Sequence, residues 1–97
     1  MKIKFNPQRA GTQTTASIYN NILKYNNEEI DLNSIPNGAT ASDEYLTIDK
    51  DLDGNIEIVM LWQYTESTKE NCFPKDLEIT EGEIYPKESE NVSKYNL

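Results

Sequence analysis

Apolar and polar residues alternate most regularly over residues 44–64, the stretch that also holds the lone tryptophan. Ile56, Ile58, Met60, Trp62 and Tyr64 occupy every second position. Strand side chains point alternately to opposite faces, so the pattern predicts a strand with one strongly apolar face. Its other face is polar at Glu57 and Gln63 but apolar at Val59 and Leu61. Such a strand belongs in the middle of a sheet or beneath a second layer. Asp51-Leu52-Asp53-Gly54 precedes it and has the composition of a type I turn closed by a bulge, with Gly54 supplying the positive φ. Pairing Asp51 with Asn55 sets Leu46 beside Met60 and Ile48 beside Ile58, and this hairpin is the expected core. The same register sets Asp49 opposite Glu57, a like-charge pair that a ladder disfavours.

The rest of the chain reads as shorter strands. Residues 2–5 alternate, and Asn6-Pro7 is expected to stop them. Residues 14–19, 22–25 and 28–32 follow, separated by Asn20-Asn21 and Asn26-Asn27. Asparagine tolerates left-handed backbone, so each pair can close a two-residue hairpin. A helix over residues 16–25 is the competing reading, disfavoured by its asparagines, β-branched and aromatic residues. Ile35-Pro36-Asn37-Gly38-Ala39-Thr40 and its polar flanks read as a long connection. Residues 65–72 are polar and aperiodic, an expected exposed loop. Leu77 and Ile79 alternate with Glu78 and Thr80 as a last strand. The expected fold is all-β and mainly antiparallel: a small meander, sandwich or partly open barrel of about six or seven short strands with little or no helix. Residues 1–80 form the single β domain, and residues 81–97 a polar C-terminal tail, frayed unless Ile84 and Tyr85 dock.

Length and charge narrow the function. Ninety-seven residues allow one modest core. The formal charge of −8, with nine scattered cations, argues against direct contact with nucleic-acid backbone or an anionic membrane. An acidic decoy for a host nucleic-acid-binding protein stays open, and it requires carboxylates on one face at phosphate-like spacing. Cys72 is the lone cysteine, which excludes an internal disulfide and fits a reducing cytoplasm. No apolar signal segment is expected at the start, no stretch approaches a membrane span, and the sequon Asn91-Val92-Ser93 reads as chance.

Candidate chemistry is sparse. Asp49-x-Asp51-x-Asp53-Gly54 matches the first half of an EF-hand calcium loop, and Glu57 adds a fourth carboxylate nearby. Met60 stands where the closing bidentate glutamate belongs, and the flanks favour strands, so the turn is preferred and calcium is the weak alternative. No histidine occurs, and there is no phosphate-binding loop, dinucleotide turn or serine elbow. Cys72 has no histidine to activate it. The expected protein is not an enzyme and has no cofactor. Trp62 reads as core, whereas Tyr64, Tyr85 and Tyr95 are candidates for a contact surface.

Several motifs in order resemble a known group. Met1-Lys2-Ile3 with Pro7 and Arg9, then residues 22–32 running into Ile35-Pro36-Asn37-Gly38-Ala39-Thr40, then Asp53-Gly54 and Phe73-Pro74, are similar to a family of small uncharacterised tailed-phage and prophage proteins encoded near tail genes. The resemblance spans residues 1–80; the acidic central turn and long polar tail depart from it. It implies a phage-derived minor structural or assembly protein of the tail module. Such a protein would contact tail or other phage proteins and self-associate, in the host cytoplasm during assembly or in the virion. The family has no established catalytic residues to carry over.

Overall fold

The computed structural model describes residues 1–87. In chain order its first strands are β1 (Lys2–Arg9), β2 (Ala16–Tyr19), β3 (Ile22–Tyr25) and β4 (Glu28–Asp31). A 3-10 turn at Leu32–Ser34 leads to β5 (Thr40–Ser42), β6 (Leu46–Lys50) and β7 (Ile56–Tyr64). A one-turn helix α1 (Lys69–Cys72) precedes β8 (Leu77–Glu78) and β9 (Gly82–Ile84). Two sheets result, a five-stranded one ordered β5-β6-β7-β1-β8 and a four-stranded one ordered β4-β3-β2-β9. The fold is all-β, an open sandwich, with antiparallel pairs except where β1 runs parallel to β7.

The central hairpin has the expected register: Leu46 faces Met60, Ile48 faces Ile58 and Asp49 faces Glu57. Strand β7 lies between β6 and β1, as its two partly apolar faces require. Its inward row of Ile58, Met60, Trp62 and Tyr64 meets Ile18, Leu23, Tyr25 and Ile84 of the other sheet in one core. One polar bond also links the layers, and another ties the turn after β4 to β6. The Tyr25 hydroxyl donates to the Leu61 carbonyl at 2.5 Å, and the Lys50 ammonium donates to the Leu32 carbonyl at 2.8 Å.

Both Asn-Asn pairs close two-residue hairpins with left-handed backbone, φ being 53° and 59° at Asn20 and Asn21, and 48° and 71° at Asn26 and Asn27. Asn26 does more, its side-chain oxygen accepting the Thr15 N–H at 3.0 Å. No side-chain bond of Asn27 is found among the described residues, so its role there is conformational. Asn27→Gly should therefore raise stability by about 0.5 kcal/mol, and Asn27→Ala should lower it by about 1 kcal/mol. Urea unfolding followed by circular dichroism measures both.

Five expectations need correction. Strand β1 continues through Asn6-Pro7 to Arg9. The Ala10 N–H donates to the Tyr64 carbonyl, and alternation along the strand turns the Pro7 nitrogen away from β7. Since β8 pairs only with Lys2 and Ile3, Pro7 lies on a free edge where no donor is missed. Strand β5 was hidden in the expected long connection, being three polar or small residues without alternation. Residues 69–72 form α1 rather than loop, capped by the Thr68 hydroxyl, and one turn is too short to show a period. The expected domain boundary at residue 80 falls inside a sheet, because Gly82–Ile84 pair with β2 and bury Ile84; residues 88–97, including the sequon and Tyr95, lie outside the described residues. With these additions the described residues hold nine strands, not six or seven.

Candidate functional site

The acidic end of the central hairpin borders an open groove of about 760 Å³ that reaches Met1, Lys2 and Glu78. Its carboxylates are engaged separately. Asp51 folds back on its own turn: one oxygen accepts the N–H groups of Asp53 at 2.9 Å and Asn55 at 2.8 Å, and the other accepts the Asn55 side-chain amide at 3.1 Å. Asp49 accepts the Thr40 hydroxyl from β5. Glu57 meets the Lys4 ammonium at 2.9 Å. The like-charge pair Asp49 and Glu57 is thus relieved sideways, each acid leaning to the strand on its far side.

The structure does not bring Asp49, Asp51, Asp53 and Glu57 together. A calcium loop wraps its ligands around one point, whereas the strand alternation sends Asp49 and Glu57 to the outer face and leaves Asp51 and Asp53 on the turn. Met60, at the place of the bidentate glutamate, is fully buried in the core. Among the described residues no three Asp, Glu or Cys side chains are grouped to hold a metal ion.

The bonds to Asn55, backbone then side chain, hold the Asp51 carboxyl below the ordinary aspartate range. A depressed folded value means stability that is complete above the unfolded value, about pH 4, and is lost as pH falls through the folded one. Wild type should therefore lose melting temperature more steeply below pH 4 than Asp51→Asn, so that the two curves converge in acid. Thermal melts at stepped pH check this; parallel curves would remove the carboxylate clamp from the account. Lys4 is shifted upward by its hydrogen bond to Glu57 and by that residue's charge.

A second feature lies where the sandwich is open, between the edge strands β4 and β5. An apolar slot of about 180 Å³ is lined there by Ile30, Ala41, Leu46 and Ile48, with Ser42 and Asp43 at its mouth. Beside it lies a cleft of about 190 Å³ formed by Tyr25, Tyr45, Glu28, Asp43, Asn26 and Gln63, with Leu46 shared. Asp43 is fixed by accepting the N–H groups of Tyr45 and Leu46, both at 2.8 Å. Tyr45 is half-exposed, while burial pushes the Tyr25 hydroxyl above the ordinary tyrosine value. These residues come from β3, β4, β5, β6, β7 and the turns between β3 and β4 and before β6, and no local motif joins them all in sequence.

The remaining candidates have structural surroundings. Tyr64, a possible contact residue by sequence, is buried, and its hydroxyl lies 3.6 Å from the Cys72 sulfur, a bond that raises its pKa. Cys72 therefore has a phenol as neighbour rather than a base. Trp62 is buried, whereas Tyr85 is exposed. Carboxylates occupy both outer faces: Asp49, Glu57 and Glu78 on one, beside Lys2 and Lys4, and Glu29, Asp31 and Glu83 on the other, around Lys24. Among the described residues no helix is long and apolar enough to cross a membrane. No protein-family model, curated protein or solved structure matches this chain.

Proposed function

We propose that this chain is a non-enzymatic protein of a phage tail module, a minor structural or assembly component that works through protein–protein contacts. The observation that carries the reading is the free edge of β5. The Lys50 N–H donates to the Ala39 carbonyl and the Asp43 N–H to the Leu46 carbonyl, which turns the backbone groups of Thr40 and Ser42 away from the sheet. Nothing among the described residues covers them. Native sheets blunt such an edge with lysine, proline, a bulge or shortness, and β5, three residues long, has only the last. Free N–H and C=O groups on an uncharged edge are the feature a strand-pairing partner uses.

The tail setting rests on the order of motifs over residues 1–80, and with it the host cytoplasm as the place of assembly. An acidic decoy fits less well, because its carboxylates would share one face rather than being divided and interleaved with lysines. Mass spectrometry of purified virions and tail-assembly intermediates tests the reading. Detection in either supports it, and consistent absence from both overturns it.

A further inference from the structure

We infer that the β4–β5 seam is a groove for an extended segment of another protein, one that offers an apolar side chain and a lysine or arginine on the same side. The inference deepens the proposed protein–protein role and rests on it for the biological setting only; the groove itself is argued from geometry.

Three observations converge on one seam. The first is the unpaired edge of β5, whose outward N–H and C=O groups at Thr40 and Ser42 are spaced to accept one more strand. The second is the apolar slot directly beneath that edge, walled by Ile30 of β4 and by Ala41 and Ile48. Its volume of about 180 Å³ compares with the roughly 150 Å³ of an apolar cavity that admits a benzene-sized group. One aliphatic side chain therefore has a place. The third is the neighbouring cleft, which presents the rings of Tyr25 and Tyr45 together with the carboxylates of Glu28 and Asp43. Aromatic faces beside carboxylates suit a guanidinium or ammonium, through the ring quadrupole and charge-assisted hydrogen bonds.

The two hollows share Asp43 and Leu46, so they are adjacent stations along one path. A strand laid on β5 directs residues i and i+2 to the same side, about 7 Å apart. Backbone pairing then supplies affinity, and the two side-chain stations supply selection.

Charge decides between a second copy and a different partner. The acids in the two hollows are Glu28 and Asp43, and neither hollow is lined by lysine or arginine. A copy of this chain, itself at −8, would bring acids against acids. A basic segment is complementary.

The test uses the full chain, labelled with nitrogen-15, titrated with capped pentapeptides Thr-Val-Thr-Arg-Thr and Thr-Val-Thr-Glu-Thr. The arginine peptide should give saturable amide shifts confined to residues 25–31, 40–48 and Gln63, and the glutamate peptide should give none. Glu28 is exposed and has no hydrogen-bond or ion-pair partner among the described residues, so its variants should fold. Glu28→Gln should weaken the arginine peptide several-fold and Glu28→Lys at least about tenfold. The proposal is overturned by any of three results: no saturation at millimolar peptide, an equal response to both peptides, or shifts gathered elsewhere, such as around Val59. Concentration-dependent shifts of the same seam without peptide would assign it to a second copy and overturn it as well. Virion detection without peptide binding would keep the tail reading and remove the groove; binding without virion detection would do the reverse.

Discussion

Trp62→Ala should remove a large share of the domain's stability, whereas Trp62→Phe should cost far less. Trp62 is 3% exposed on the inward row of β7, with the Phe5 ring edge-on at 5.4 Å between centroids. Truncating so large a buried aromatic costs about 3–5 kcal/mol in lost transfer energy and residual cavity. A small domain holds only about 5–15 kcal/mol in all. Phenylalanine keeps the ring-to-ring contact and removes a liability, because the buried indole N–H has no hydrogen-bond partner among the described residues. A buried unsatisfied donor costs about 1–3 kcal/mol, which offsets much of the lost volume. The expected net loss for Trp62→Phe is therefore about 1 kcal/mol or slightly more. Urea unfolding by far-ultraviolet circular dichroism separates the two variants, with the m-value unchanged if the denatured state is the same. Equal losses for both would mean that the indole nitrogen is satisfied and that shape alone decides the site.

What could be read from the chain beforehand follows from how locally each signal is written. The pairs Leu46–Met60 and Ile48–Ile58 were legible because alternation sets the face and a four-residue turn sets the register. The Asn-Asn hairpins were legible because one residue type tolerates the backbone they need. Strand β5 was not, since Thr40, Ala41 and Ser42 gain their extended form only from pairing with β6. Strand β9 likewise depends on β2, and Pro7 misled because its position on a free edge is a property of the assembled sheet. The acidic turn drew attention as a linear motif, yet tertiary neighbours Thr40 and Lys4 account for two of its carboxylates. The seam was invisible for the opposite reason. No spacing joins Tyr25, Glu28 and Ile30 to Ala41, Asp43 and Tyr45, and only the closing of two sheets around Ile48 brings them to one groove.

Lys50 shows how one side chain connects the core to that groove, and its charge reversal is the second large effect expected. The alternation that turns Leu46 and Ile48 inward carries Lys50 with them, so its stem is buried and its ammonium reaches the Leu32 carbonyl. Lys50→Glu would put a carboxylate against a carbonyl oxygen inside the protein, at a cost of about 3–5 kcal/mol. Lys50→Met keeps the stem and gives up only the ammonium. The Leu32 carbonyl then retains the Ile35 N–H at 3.4 Å, a longer bond, so the loss should be near 1 kcal/mol. The consequence for the seam is more specific than for the fold. Leu32 opens the 3-10 turn that carries the chain from β4 to β5, and the Lys50 bond fixes that turn to the hairpin. Lys50→Met should therefore speed amide hydrogen exchange over residues 32–42 while leaving β2, β3 and β7 protected. Uniform acceleration across all strands would instead mean that the ammonium stabilises the whole domain and that the β5 edge is held in place by its pairing with β6 alone.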